Sequence, residues 1–133
     1  MQVRVKAKRR CFLRILPSIS KRLFFLVVPR HPQRFDEVAE IFKRSGCRVI
    51  RKSEDPEFSG LSEGPAVLLG DTMGEMSFYC ALSDVCIMGG SFGQFGCQNL
   101  IEPAASGSPV LVGSSTFNFA KAVADALAEG GAV

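Results

Sequence analysis

Tryptophan is absent from the chain, and tyrosine and histidine occur once each among 133 residues that include eleven phenylalanines. The single His31 stands at no recognised metal-ligand spacing from the cysteines, so a zinc site is not expected. The five cysteines, Cys11, Cys47, Cys80, Cys86 and Cys97, contain no Cys-x-x-Cys pair. Their odd number and apolar surroundings argue against a disulfide framework and for a reducing cytoplasm. No apolar run approaches the roughly 18 to 20 residues that span a bilayer. The run at 23–28 has the length of a buried strand instead. No acid precedes Asp36, whereas ten lysines and arginines do, among them Arg4, Lys6, Lys8, Arg9, Arg10, Arg14, Lys21 and Arg22. The net charge of +3 therefore hides a basic segment, 1–22, on a mildly acidic body. Such a segment suits an anionic membrane surface or nucleic acid, and equally reads as a transit peptide or a leader.

What is present is globular: hydrophobic residues make up 47% and charged residues 22%, enough for one domain with a core. Leu23-Phe24-Phe25-Leu26-Val27-Val28 reads as a strand buried on both faces. A helix is predicted after Pro32, with Phe35, Val38, Ala39 and Phe42 on one face and Gly46 as its stop. A second strand follows at 47–51, then a polar loop at 52–65 with room for one helical turn. The third strand, 66–69, leads to Asp71 or Thr72 as cap of a helix over 74–82. The fourth, 85–88, is followed by a helix over 99–106 that stops at Gly107. The fifth, 110–112, precedes a helix over 117–128 started by Ser115 or Thr116 and ended by Gly130. This alternation predicts an α/β fold: a Rossmann-like, mainly parallel sheet with helices on both faces.

The densest signal is Gly89-Gly90-Ser91-Phe92-Gly93-Gln94-Phe95-Gly96-Cys97-Gln98-Asn99-Leu100-Ile101-Glu102-Pro103. A strand, a glycine loop and a helix start offer free backbone N–H groups to an anion. Glu102 adds a carboxylate suited to accept hydrogen bonds from a sugar diol. The glycine spacing is neither a dinucleotide fingerprint nor a P-loop. Asn99 has a second reading as helix cap, and Glu102 as a first-turn partner of the dipole. Parallel sheets bind ligands beyond the carboxyl ends of their strands, so three clusters are expected to converge: Arg30 with His31, 71–75, and 91–102. Arg30 is a fork for phosphate, or else a surface partner of Asp36 or Glu37. His31 reads best as a cap, as do Ser115 and Thr116. Gly74-Glu75-Met76 opens a helix whose N–H groups fit phosphate, with Met73 or Met76 beside a base.

Four ordered motifs resemble the C-terminal half of the 3-deoxy-D-manno-octulosonic acid (Kdo) transferases. They are Val28-Pro29-Arg30-His31-Pro32 with Arg34-Phe35-Asp36-Glu37-Val38; Leu69-Gly70-Asp71-Thr72-Met73-Gly74-Glu75-Met76; Gly89-Gly90-Ser91 with Gly96, Asn99, Glu102 and Pro103; and Thr116-Phe117-Asn118-Phe119. The match runs from about residue 25 to 133. It implies the donor-binding domain of a GT-B glycosyltransferase over 23–133, stopping short of the family's closing helices. The implied donor is CMP-Kdo, and the implied acceptor is the lipid A precursor of lipopolysaccharide synthesis, at the cytoplasmic face of the bacterial inner membrane. Carried over by position, Pro29, Arg30, Gly74, Glu75, Met76, Asn99, Leu100, Ile101 and Glu102 line the CMP pocket, with Met73 and Ser91 as secondary contacts. No metal, cofactor or specific nucleic acid is expected. Where many relatives have Gly-Gly-His-Asn, this chain has Gly96-Cys97-Gln98-Asn99. No residue matches the family's catalytic carboxylate or acceptor site, so the chain alone is expected to bind donor nucleotide and not to catalyse. The alternatives are the donor domain of a UDP-sugar transferase and a non-catalytic nucleotide-binding or interaction module.

Overall fold

The computed structural model of the protein describes residues 24–63 and 66–133, so the basic segment 1–22 and Leu23 lie outside the described residues. Within the span expected as one domain, the described residues gather into two compact units, 24–72 and 73–133.

The first unit is built on a three-stranded parallel sheet. β1 (Phe25–Val27) and β2 (Val49–Arg51) flank β3 (Val67–Leu69), with Leu26 and Ile50 both opposite Leu68. β3 is buried along its whole length, as the central strand of a parallel sheet must be. β1 is buried less completely than its apolar run predicts: Phe25 and Leu26 are half-buried, and Phe24 is exposed. A 3₁₀ turn at Pro32–Arg34 leads into α1 (Phe35–Arg44), whose Val38, Ala39 and Phe42 are buried and which packs on β2 and β3. Asp36 and Glu37 in its first turn and Lys43 and Arg44 in its last complement the helix dipole. The loop expected to be polar contributes to the core. Phe58 is buried with Ile50, Ala66 and Leu68, and Leu61 packs against them. Asp55 orders that loop by accepting from the N–H groups of Ser59 (3.1 Å) and Gly60 (2.9 Å). A 3₁₀ turn, Ser59–Glu63, is the helical turn it had room for.

The second unit holds α2 (Met76–Ala81), β4 (Cys86–Ile87), α3 (Ile101–Ala105), β5 (Val110–Leu111) and α4 (Ala120–Ala128). β4 and β5 pair in parallel, Cys86 with Val110 and Ile87 with Leu111. The chain's last residues run along β5. Ala132 bridges Val110, and Val112 N–H donates to the Val133 carbonyl at 2.9 Å. This pairing was not foreseen, because 131–133 carries no strand pattern. The core comprises Cys80, Cys86, Met88, Cys97, Leu100, Val110, Val123 and Ala132. Cys80, Cys86 and Cys97 are free thiols buried in it. Burial, then the neighbouring Cys86, pushes the Cys80 thiol up to about 11. Burial likewise raises the Cys97 thiol.

Among the described residues no helix is long and apolar enough to cross a membrane, and no group of three or more His, Cys, Asp or Glu could hold a metal ion.

Candidate functional site

In the first unit, Pro29 is buried just beyond β1 and Arg30 emerges exposed after it. The two acids that would neutralise Arg30 are taken by other arginines. Asp36 Oδ1 accepts from Arg51 Nη1 at 2.7 Å, and Glu37 Oε2 from Arg34 Nε at 3.0 Å. Among the described residues no hydrogen bond or ion pair engages the Arg30 guanidinium. His31 occupies the cap position before the 3₁₀ turn but makes no side-chain capping bond; its backbone carbonyl accepts from Arg34 N–H at 3.0 Å.

Behind this edge lies a buried charge network. The Asp71 side chain is 1% exposed and accepts from Arg51 Nε (2.6 Å), Ser53 Oγ (2.6 Å) and Ser53 N–H (2.9 Å). Burial acts to raise the Asp71 carboxyl, but the hydrogen bonds from Ser53 and Arg51 outweigh it and hold the group below its ordinary value. Hydrogen bonding to Asp71, then to Asp36, keeps Arg51 firmly charged. The carboxylate expected to cap the next helix is therefore spent tying β3 to β2. Sequence order alone hid this contact, because Arg51 and Ser53 lie about twenty residues upstream of Asp71.

In the second unit, Gly74 and Glu75 precede α2, and the Tyr79 hydroxyl donates to Glu75 Oε2 at 3.3 Å. Met73 is exposed, and Met76 is half-buried and packs against the core. Neither Thr72 nor Asp71 caps α2; Glu75 is its N-cap and makes no side-chain capping bond. α2 packs against α3. Before α3, whose N-cap is Leu100, Asn99 Oδ1 accepts from Ile101 N–H at 3.0 Å. Leu100 is buried in the core, Ile101 and Glu102 are exposed, and Pro103 is buried. No hydrogen bond or ion pair among the described residues engages the Glu102 carboxylate. Both helices are short, six and five residues, so any anion they hold is held by first-turn N–H groups more than by a macrodipole.

The glycine loop is shaped chiefly by contact with its own protein. Ser91 is fully buried; its hydroxyl donates to the Met88 carbonyl at 2.5 Å and accepts from Gly113 N–H at 2.6 Å. That leaves the hydroxyl no surface for a ligand. The Ser91 carbonyl accepts from Ser115 N–H at 3.0 Å, and the Ser115 hydroxyl accepts from Gly96 N–H at 3.2 Å. Ser115 thus latches two loops instead of capping α4, whose N-cap is Phe119. A side chain at Gly113 would meet the Ser91 carbonyl carbon at 2.6 Å, and Gly96 has φ +77 with the Asn118 side chain against it. The signal that could have revealed the latch is the repetition of glycine with serine after each of two strands that pair in parallel.

No family model matches the chain. It is similar to the 3-deoxy-D-manno-octulosonic acid transferase of Bordetella pertussis, at 52% identity over 87% of this chain and 27% of that protein. It is also similar to the enzyme of that name from Haemophilus influenzae, at 42% identity over 80% of this chain and 24% of that one. The chain thus spans about a quarter of the length of these curated relatives. Among solved structures it resembles the C-terminal CMP-Kdo binding domain of WaaA from Acinetobacter baumannii. That match has a TM-score of 0.81 and 34% identity, covering 94% of this chain and 66% of that one.

Proposed function

We propose, on the premise that the chain belongs to the Kdo transferase family and corresponds to its C-terminal domain, that this domain binds the sugar donor CMP-Kdo. The observation that carries the proposal is 34% identity, at a TM-score of 0.81, to a domain described by that ligand. In our reading Arg30 supplies the guanidinium for the donor's phosphate, a planar fork that matches phosphate oxygens. Its lack of an acidic partner among the described residues supports the assignment, since an arginine already paired would have to be pulled from its carboxylate. Gly74, Glu75 and Met76 contribute backbone at a helix start, as do Asn99, Leu100 and Ile101. Leu100 acts through its backbone only, because its side chain is in the core. Glu102 accepts from the ribose diol, and its carboxylate, exposed and without a hydrogen bond or ion pair among the described residues, is consistent with that role. Pro29 fixes the chain direction before Arg30 and Met73 offers an apolar surface, whereas Ser91 serves as internal latch. For the whole protein the proposal extends to transfer of Kdo from CMP-Kdo to the lipid A precursor at the cytoplasmic face of the inner membrane. No metal or cofactor is part of it.

The test is calorimetric titration of the 133-residue chain with CMP, with UMP as control. We expect CMP to bind in preference to UMP. A hydrogen bond to a charged group is worth about 1.5–3 kcal/mol, so Glu102→Ala and Arg30→Gln should each weaken CMP by about 10- to 150-fold. Absence of CMP binding by a protein that melts cooperatively overturns the proposal, and preference for UMP moves it to a UDP-sugar donor.

A further inference from the structure

Thr116-Phe117-Asn118-Phe119 is the motif to which the proposed donor site assigns no residue. It stands on the loop that follows β5, and the glycine loop follows β4. Because β4 and β5 are parallel, both loops leave the same edge of their sheet, the carboxyl edge at which parallel sheets take ligands. Two bonds hold the loops in register: Ser115 N–H to the Ser91 carbonyl at 3.0 Å, and Gly96 N–H to the Ser115 hydroxyl at 3.2 Å. In that register the Asn118 side chain lies against Gly96, where a Cβ would stand 2.7 Å from its amide carbon. The amide is thus placed by contact and not by bonding. It is exposed, and no hydrogen bond among the described residues engages it. Gly96 is three residues before Asn99, a separation of at most about 11 Å along the chain. A nucleotide sugar seated on Asn99 is therefore within reach of the Asn118 amide.

Kdo is an acid, so the sugar half of the donor carries a carboxylate in addition to the phosphate. Glu102 is the only charged residue from 85 to 120, so neither loop offers that carboxylate a cation. A carboxamide N–H is the neutral donor that can meet it. We propose that Asn118 is a specificity-determining contact for the donor's sugar, its amide donating to the Kdo carboxylate. The proposal rests on the reading of this domain as a CMP-Kdo site. In that reading the nucleotide half already has its partners, Arg30 for phosphate and Glu102 for ribose. Asn118 accordingly adds affinity for CMP-Kdo and none for CMP. Gly96 leaves the space that the amide occupies, and Ser115 fixes the spacing of the two loops.

The experiment compares freshly prepared CMP-Kdo with CMP by calorimetric titration of the 133-residue chain, with a urea midpoint for each variant. The wild type should bind CMP-Kdo more tightly than CMP. Asn118→Ala should weaken CMP-Kdo about 10- to 150-fold, the range of a hydrogen bond to a charged group, and leave CMP unchanged. Asn118→Asp sets a second carboxylate opposite the first, so it should weaken CMP-Kdo further, again with CMP unchanged. A merely structural role for Asn118 would lower both ligands together. If both fall together in the variants, if neither changes, or if the wild type binds CMP-Kdo no more tightly than CMP, the inference falls while nucleotide binding stands. If the wild type binds neither ligand, the donor reading falls and this inference with it.

Discussion

Asp71 is the residue whose environment departs furthest from what its type implies. A carboxylate with a 1% exposed side chain survives only because Arg51 and Ser53 supply three donors. Asp71→Asn would forfeit the charged bonds, at about 1.5–3 kcal/mol near neutral pH. The pH dependence follows from its lowered carboxyl. A group depressed in the folded state contributes fully above its unfolded value, near pH 4, and loses that contribution as pH falls through the folded value. Urea midpoints of the wild type and Asp71→Asn should therefore differ most at pH 6 and converge towards pH 2.5. The role of this residue was not legible in the chain, where Asp71 before a helix reads as a cap. Ser91 was misplaced for a related reason: a serine in a glycine loop looks exposed, yet parallel pairing of β4 and β5 brings the Gly113 backbone onto its hydroxyl.

At the scale of elements, strand and helix order was readable from apolar runs and glycine stops, and each strand falls inside its expected segment. The helix starts were read less well. α1 begins three residues after Pro32, behind a 3₁₀ turn, and α4 begins three residues after the expected Phe117. In both places short polar side chains near the start were candidates for caps, but Ser115 found a backbone N–H on another loop and His31 found no capping partner at all. Asn99 comes nearest to a cap, its side chain accepting from Ile101 N–H one residue ahead of the N-cap Leu100. The loop-to-loop latch makes a prediction at this scale. Gly113→Ala would drive a methyl group against the Ser91 carbonyl, and overpacking of this kind costs about 1–3 kcal/mol. Urea denaturation should register that loss. An unchanged midpoint would mean that the two loops part without cost.

At the scale of the whole molecule, the α/β class and parallel pairing were legible because βαβ alternation leaves few other solutions. The partition into 24–72 and 73–133 was not, because nothing in composition changes at residue 72. The thiols provide a way to follow the two units separately. Cys80, Cys86 and Cys97 are sealed in the core of the second, whereas Cys47 of the first is only half-buried. Cys80, pushed up to about 11 and shielded from water, is doubly inert towards an alkylating reagent at neutral pH. Peptide mapping after timed iodoacetamide exposure should find Cys47 modified early. The three core cysteines should appear together and later, at a rate that tracks opening of residues 73–133. Buried sulfur thereby becomes a clock: the chain carries its own reporter of how often that half comes apart, with no probe added.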